Sequence, residues 1–141
     1  MNMLKSDMIQ KISRHIASLD FSQYADGIKT TPDRAFIEEF LNHFELASVG
    51  TPLLSNDANC KFLLTTEYLF WWDDCVEYNY HPINDVLIYY DEMFGTVAVS
   101  KKSDDTYMGA IADDDVPEDK CDEFAEAMQS LIDMILFLEN N

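Results

Sequence analysis

The side chains with the most potential for chemistry lie in one acidic and aromatic block, residues 68–81. Carboxylates, a thiol and an imidazole occur there within nine residues: Asp73, Asp74, Cys75, Glu77 and His81. Such groups can bind metal ions, but a histidine six residues after a cysteine is not a recognised zinc spacing. Cys75 and His81 could also form a nucleophile pair, although nothing nearby marks an oxyanion site. The sequence therefore favours solvated carboxylates over a metal or catalytic centre.

A second acidic run, Asp113 to Asp115, resembles the start of a calcium-binding loop. Pro117 occupies the third ligand position, however, and the glycine of such loops is missing. Helix capping explains this run better. The chain also lacks the GxSxG and HExxH motifs and any glycine-rich phosphate-binding loop. We therefore predict a non-catalytic protein that needs no metal ion and no organic cofactor.

The aromatic part of the block favours a role in protein recognition. Tryptophan and tyrosine side chains surrounded by charges of one sign are typical of interfaces for a cationic partner. The candidate partner-binding residues are Trp71, Trp72, Asp73, Asp74, Glu77, Tyr78, Asp104 and Asp105. Aromatic residues also anchor protein cores, so we expect at least one of the two tryptophans to be mostly buried.

The net charge restricts the kind of partner. The chain has 27 acidic residues against nine lysines and arginines, a formal net charge of −18, and residues 62–100 contain no lysine or arginine. A nucleic-acid backbone or an anionic membrane surface would repel such a protein. The charge instead favours a basic protein partner, and the alternative is that the acidic surface only keeps the protein soluble.

Three further patterns predict a cytoplasmic protein. Cys60, Cys75 and Cys121 are odd in number, widely spaced and outside any CxxC pattern, which favours free thiols in a reducing compartment. No window approaches 18 uncharged apolar residues, so we predict no transmembrane helix. The first residues lack a basic segment followed by an apolar core, so we see no signal peptide.

A β-meander near the centre of the chain is the element around which the others must pack. Residues 85–90 form a short apolar run, residues 91–95 read as a hairpin loop, and Thr96 to Ser100 alternate between valines and small or polar residues. A third strand can form over Thr106 to Ala112. Such a meander needs a hydrophobic cover to be stable in water.

Two N-terminal helices can supply part of that cover. Apolar residues recur at intervals of three and four from Met3 to Leu19, which predicts one amphipathic helix. Thr31 is a suitable N-cap, with Pro32 at the first helical position. This second helix is predicted to end by about Ala47, before a glycine and a proline.

The C-terminal helix is the longest predicted element. The acidic run 113–115 can cap it, and Pro117 would lie within its first turn. Its apolar stripe, predicted to pack on the protein's own sheet, consists of Cys121, Phe124, Met128, Leu131, Ile135 and Leu138.

The segments between these elements are harder to assign. Residues 48–59 are rich in serine, asparagine, glycine and proline and are predicted to form a surface loop, followed by a short strand over Cys60 to Thr65. The run Thr66 to Trp72 is ambiguous between strand and helix, and His81 is placed in a tyrosine-rich loop. We therefore predict a single α+β domain over residues 1–141: an antiparallel β-meander packed against N-terminal helices and a long C-terminal amphipathic helix.

The C-terminal half resembles the SUKH superfamily of bacterial immunity proteins. The strand pair Val86 to Ser100, followed by Ile111-Ala112-Asp113 and then by residues 122–128, is similar to the strand and helix start of that family. The likeness covers about the last 55 residues. It implies a cytoplasmic protein that binds and neutralises a cognate toxin.

The sequence thus favours an acidic binding protein, most of all an immunity or antitoxin-type inhibitor of a basic toxin or nuclease. Two alternatives remain: a secretion chaperone for an effector, and a DNA mimic that occupies a nucleic-acid-binding site. The expected partner is a basic protein rather than nucleic acid or a membrane, and a homodimer remains open.

Overall fold

Two antiparallel sheets and three helices make up the protein, as a computed structural model shows for residues 5–57, 61–74 and 77–140. In chain order the elements are α1 (Lys5–Leu19), β1 (Ile28–Lys29), α2 (Arg34–Leu41), β2 (Pro52–Asn56), β3 (Lys61–Thr65), β4 (Tyr68–Asp73), β5 (Glu77–Pro82), β6 (Val86–Asp91), β7 (Thr96–Lys101), β8 (Tyr107–Ala112) and α3 (Cys121–Glu139). Short 3₁₀ turns span Phe21–Gln23, Ile83–Asp85 and Glu118–Lys120. The predicted α+β class is confirmed.

The predicted meander is the smaller sheet, with the strand order β6-β7-β8. Its register pairs Ile88 with Val99 and Val97 with Ala112. Val97 and Val99 are fully buried and belong to the main hydrophobic core, which also contains the apolar stripe of α3. The period-two pattern of the sequence therefore marks the strands of this sheet correctly.

Side chains from outside the smaller sheet accept hydrogen bonds from backbone amides of its two outer strands. Gln129 of α3 accepts a hydrogen bond from the Ile88 amide of β6 through its Oε1 atom at 2.9 Å. Asp73 of β4 accepts one from the Ala110 amide of β8 through its Oδ2 atom at 2.7 Å. An unpaired strand edge is a template for aggregation, and each of these bonds satisfies one backbone amide on an outer strand.

The larger sheet is a second meander, with the order β1-β2-β3-β4-β5. In β3 and β4, residues alternate between two hydrophobic clusters, as the pleat of a strand requires. Phe62, Leu64, Leu69 and Trp71 join the main core, which also contains residues of α1, α3 and the smaller sheet. Leu63, Phe70 and Trp72 point to the opposite face and pack with residues of α2.

Two predictions about this sheet are wrong. Residues 52–56, assigned to a surface loop, form β2, with Leu53, Leu54, Ser55 and Asn56 buried. His81, placed in a tyrosine-rich loop, lies in β5 (Glu77–Pro82), which pairs with β4. In both strands, polar side chains interrupt the apolar pattern that would indicate a strand. The buried Asn56 side chain donates a hydrogen bond to the Asp115 carboxylate at 2.7 Å. Cys60 lies outside the described residues, but the strand predicted after it is present.

The second helix is shorter than predicted. It begins at Arg34 with Asp33 as its N-cap, rather than with Thr31, and it ends at Leu41 rather than near Ala47. The chain leaves the helix there, yet Phe44, Leu46 and Val49 still pack in the same cluster as α2. Apolar residues therefore continue beyond the end of the helix, and the sequence shows the pattern of a longer helix.

The C-terminal helix begins later than predicted. Its first residue is Cys121 and its N-cap is Lys120, so residues 113–115 do not cap it, and Pro117 precedes it. The Asp115 carboxylate instead accepts hydrogen bonds from the Asp113 amide and from the Asn56 side chain. Every residue of the predicted apolar stripe is buried, as expected. Full burial of one such side chain contributes ~1.5–3 kcal/mol.

Candidate functional site

The predicted partner-binding residues do not form one surface, and two of them lie inside the protein. Trp71 is 0% exposed and Asp73 is 6% exposed. Trp71 packs in the main core, while the Asp73 carboxylate accepts the hydrogen bond from the Ala110 amide described above. Neither side chain can touch a partner in this structure, so these two assignments are wrong. The expectation of at least one buried tryptophan is confirmed.

Asp104 and Asp105 lie in the turn between β7 and β8. Asp104 Oδ1 accepts a hydrogen bond from the Thr106 amide at 2.9 Å, and hydrogen bonding by Thr106 lowers the pKa of this carboxyl group. Asp105 has a φ angle of +62°. The six-residue strand β8, ~20 Å long, separates this turn from Asp113. The two aspartates therefore shape a turn at the far end of the sheet.

Asp74 belongs to a different group, which we call the acidic end: Asp74, Asp113, Asp114 and Glu118. A cleft of about 280 Å³ opens there between the β6–β7 hairpin and the segment that precedes α3. Its lining residues are Phe94, Gly95, Asp113, Asp114, Val116, Pro117 and Glu118. Burial, followed by the charges of Asp114, Asp115 and Asp74, raises the pKa of Asp113. The acidic end thus concentrates negative charge on one part of the surface.

The tip of the β6–β7 hairpin displays two large apolar side chains beside the acidic end. Met93 is 85% exposed and Phe94 is 71% exposed. The turn beneath them is well formed: Asp91 Oδ1 accepts hydrogen bonds from both of their amides, and the Gly95 amide donates to the Asp91 carbonyl oxygen at 2.8 Å. These side chains are therefore presented by an ordered turn. We call Met93 and Phe94 the apolar tip.

No cation of the described residues neutralises the acidic end. The ion pairs within residues 5–57, 61–74 and 77–140 all involve Lys29, Arg34, Lys61 or His81. Lys120, close to the acidic end in sequence, donates to the Gln23 carbonyl oxygen at 3.4 Å instead. Exposed acids without a partner attract cationic surfaces most strongly at low salt.

Trp72, Glu77 and Tyr78 lie on the face of the larger sheet that carries α2. They line a second cleft, of about 420 Å³, together with His43 and Phe44. The His43 and Tyr78 rings stack with their centroids 3.6 Å apart. Lys61 Nζ lies 5.7 Å from the centre of the Trp72 ring and 3.3 Å from Glu39. We call this second site the aromatic cleft.

The other residues considered for chemistry have structural partners. His81 Nε2 lies 2.8 Å from Asp85 Oδ2, and this contact joins β5 to the 3₁₀ turn before β6. Cys121 is buried, and burial raises the pKa of its thiol, so it is protected from nucleophilic chemistry. Cys75 lies outside the described residues. Within the described part of the chain, no group of three histidine, cysteine or acidic residues is arranged to hold a metal ion.

Only some of the residues in these two sites could be identified from the sequence. Sequence patterns marked Trp72, Asp74, Glu77 and Tyr78, but they missed the apolar tip and His43. Two large apolar residues between Asp91 and Gly95 of a hairpin loop were the available signal for the tip. His43 could not be found in this way, because only the fold brings it against Tyr78.

No protein-family model, curated protein or solved structure matches this chain. The helices within the described residues also include none long and apolar enough to cross a lipid bilayer.

Proposed function

We propose that this protein is a non-catalytic inhibitor that binds a basic partner protein, in the manner of an immunity protein or antitoxin. One observation carries the proposal: the apolar tip projects beside exposed carboxylates that have no ion-pair partner among the described residues. Exposed large apolar groups next to charge of one sign are typical of protein interfaces.

The two parts of this surface have different roles in binding. The acidic end attracts a cationic partner, and such steering raises association rates by ~10–10³-fold at low salt. Phe94 supplies apolar area that becomes desolvated on contact, which is what holds a complex together once it has formed. The inhibitor acts by covering the partner's basic cleft, so no catalytic group is required.

The resemblance to the SUKH superfamily supports the same kind of partner, a toxin. The residues behind that resemblance are Val86 to Ser100, Ile111 to Asp113 and residues 122–128, and they include the hairpin with its apolar tip and Asp113 of the acidic end. The apolar tip and Asp113 therefore lie within the part of the chain on which the resemblance rests, whereas Asp74, Asp114 and Glu118 lie outside it.

The test begins by capturing partners on the immobilised protein and identifying them by mass spectrometry. The captured protein is then purified, and its affinity for the wild type and three variants is measured. Phe94→Ser should weaken binding about tenfold or more, since it removes an interface anchor. Asp114→Asn with Glu118→Gln should slow association several-fold at low salt and have less effect at 0.5 M salt.

The matched control is Asp104→Asn with Asp105→Asn, which removes the same charge at the far end of β8. This variant should bind like the wild type. The captured protein should also arrest growth when expressed alone, and co-expression of the wild type, but not of Phe94→Ser, should restore growth. A partner with an acidic surface, equal affinity in all three variants, or toxicity that the wild type does not relieve would overturn the proposal.

A further inference from the structure

We propose that the aromatic cleft binds the guanidinium group of an arginine side chain. The cleft is a separate site from the acidic end, on the face of the larger sheet that carries α2. The inference rests on the proposed function for the source of the arginine, a basic partner protein. The binding itself can be tested with a short peptide.

The lining of the cleft matches the chemistry of a guanidinium group. Phe44, Trp72 and Tyr78 contribute aromatic rings, one face of Tyr78 being stacked on His43, and Glu77 contributes a carboxylate. A guanidinium group is planar, stacks on aromatic faces and forms paired hydrogen bonds with a carboxylate. An aromatic surface with one carboxylate therefore offers both kinds of contact at once.

The balance of charged side chains around the cleft favours the binding of one additional cation. Lys61 lies over the Trp72 ring and pairs with Glu39. Burial, followed by the charge of Glu39 and hydrogen bonding to it, raises the pKa of Tyr78. Glu77, in contrast, has no ion pair with any described residue. Among the described residues, Lys61 is paired with Glu39, and Glu77 is the carboxylate of the cleft without an ion pair.

Lys61 shows where a cation can lie against this surface. Its ammonium group already occupies the region above the Trp72 ring, at 5.7 Å from the ring centre. An incoming arginine would share the ring with this lysine or displace it. Lys61 therefore limits the affinity of the cleft, and its removal should strengthen binding.

The backbone holds Glu77 in place at the rim of the cleft. Its φ angle is +57°, an uncommon conformation for a residue other than glycine. Glu77 pairs with Asp73 in the β4–β5 register, and Asp73 is fixed by its bond to Ala110. The backbone that carries this side chain is thus tied to the core of the protein.

The experiment uses the Trp71→Phe variant of the full chain, in which Trp72 is the only tryptophan. The tripeptide acetyl-Gly-Arg-Gly-amide is titrated at pH 7.5 while Trp72 fluorescence and the indole N–H signal in NMR spectra are recorded. The same peptide with citrulline, which has the shape of arginine without its charge, and the peptide with lysine are the controls. Circular dichroism verifies that each variant is folded.

We expect the arginine peptide to saturate the Trp72 signal in the millimolar range, about tenfold more tightly than the citrulline peptide. The lysine peptide should bind more weakly than the arginine peptide, because an ammonium group cannot form the paired bonds. Glu77→Gln should weaken arginine binding about fivefold. Lys61→Met should strengthen it about twofold or more, a gain that misfolding cannot produce. Glu126→Gln, an exposed change on α3, should have no effect.

Equal binding of the citrulline and arginine peptides would overturn the inference, because the cleft would then recognise an uncharged shape. Unchanged affinity in Glu77→Gln, or absence of binding in both the wild-type cleft and Lys61→Met, would also overturn it. The two proposals fail separately. Peptide binding that persists while Phe94→Ser leaves partner affinity unchanged would refute the apolar tip as part of the interface and retain the aromatic cleft.

Discussion

Gly50 is a residue where backbone conformation and packing act together. Its φ angle is +79°, and a Cβ atom there would lie 2.5 Å from Thr66 Oγ1 and 3.0 Å from the Glu67 amide nitrogen. That Thr66 oxygen already accepts a hydrogen bond from the Thr51 amide at 3.0 Å. A side chain at position 50 would therefore strain the backbone and separate the loop from the β3–β4 turn.

We expect Gly50→Ala to lower the free energy of unfolding by about 2–3 kcal/mol, since positive φ and the clash add together. Gly95 provides the control, because its φ angle is +66° but a Cβ atom there would meet no other atom within 4 Å. Gly95→Ala should cost only about 1–2 kcal/mol, the backbone contribution. Urea denaturation of both variants gives the comparison. Equal losses would show that the contact with Thr66 yields to a side chain without cost.

Neighbouring residues of the aromatic block illustrate what could be predicted from sequence at this scale. Trp71 and Trp72 are adjacent and identical in type, yet one is in the main core and the other lines the aromatic cleft. A strand sends successive side chains to opposite faces, so their separation follows once residues 68–73 are known to be a strand. The sequence left that segment ambiguous. The burial of Asp73 could not be foreseen either, because its partner Ala110 is 37 residues away.

At the scale of the elements, Gln129 links α3 to the edge of the smaller sheet. Its Oε1 atom accepts the hydrogen bond from the Ile88 amide, and its Nε2 atom donates to Asp133 at 3.0 Å. A methionine at this position keeps a similar length and removes the acceptor. The Ile88 amide would then lose its partner in a partly buried setting, and an unsatisfied buried donor costs ~1–3 kcal/mol.

We therefore expect Gln129→Met to reduce stability by about 1–2 kcal/mol. The matched control is Gln10→Met on the exposed face of α1, for which the expected change is within ~0.5 kcal/mol. Amide hydrogen exchange supplies a second readout, since Ile88 should lose protection only in the first variant. Unchanged exchange at Ile88 would mean that water or another group replaces the glutamine.

The strands and helices differ in how far the sequence reveals them. The smaller sheet and the apolar stripe of α3 were predicted well, because both show a clear period over enough residues. Strand β2 was missed because buried polar residues, Ser55 and Asn56, follow its two leucines, and the partner of Asn56 is Asp115 in a distant segment. The end of α2 was misplaced because the loop after Leu41 continues to supply apolar residues to the same cluster.

For the whole molecule, the charge determines how stability depends on pH. Burial, followed by neighbouring acids, raises the pKa of Asp113, and burial, followed by Glu67, raises that of Glu139. The folded state binds these two protons more tightly than the unfolded state, so stability increases as pH falls from neutral through the raised values. Protonation also reduces the repulsion that accompanies a net charge of −18.

Other carboxyl groups have the opposite effect at lower pH. Hydrogen bonding to His81, together with bonds from Ser103, lowers the pKa of Asp85 below its usual value of 3.8. A lowered pKa contributes stability that is complete above the unfolded value and is lost as pH falls through the folded one. Stability should therefore pass through a maximum at mildly acidic pH and decrease below about pH 4.

Thermal unfolding at pH 3, 5 and 7.5, in low salt and in 0.5 M salt, measures this dependence. We expect the melting temperature to be highest at pH 5, and added salt to raise it most at pH 7.5 by screening the acidic groups. Asp113→Asn should raise the melting temperature at pH 7.5, whereas Asp85→Asn should lower it and reduce the loss between pH 5 and pH 3. A melting temperature that rises steadily with pH would contradict this account.

The apolar tip has a consequence for how identical copies of the protein behave towards one another. Two exposed apolar side chains on an ordered turn would ordinarily make a concentrated protein associate with itself. Here every copy presents the same side chains together with the same excess of negative charge, and such copies repel each other at physiological salt. The tip is therefore kept away from other copies and remains accessible to a surface of opposite sign. The same distribution of charge that keeps the copies apart thus also serves the selectivity that we propose for a basic partner.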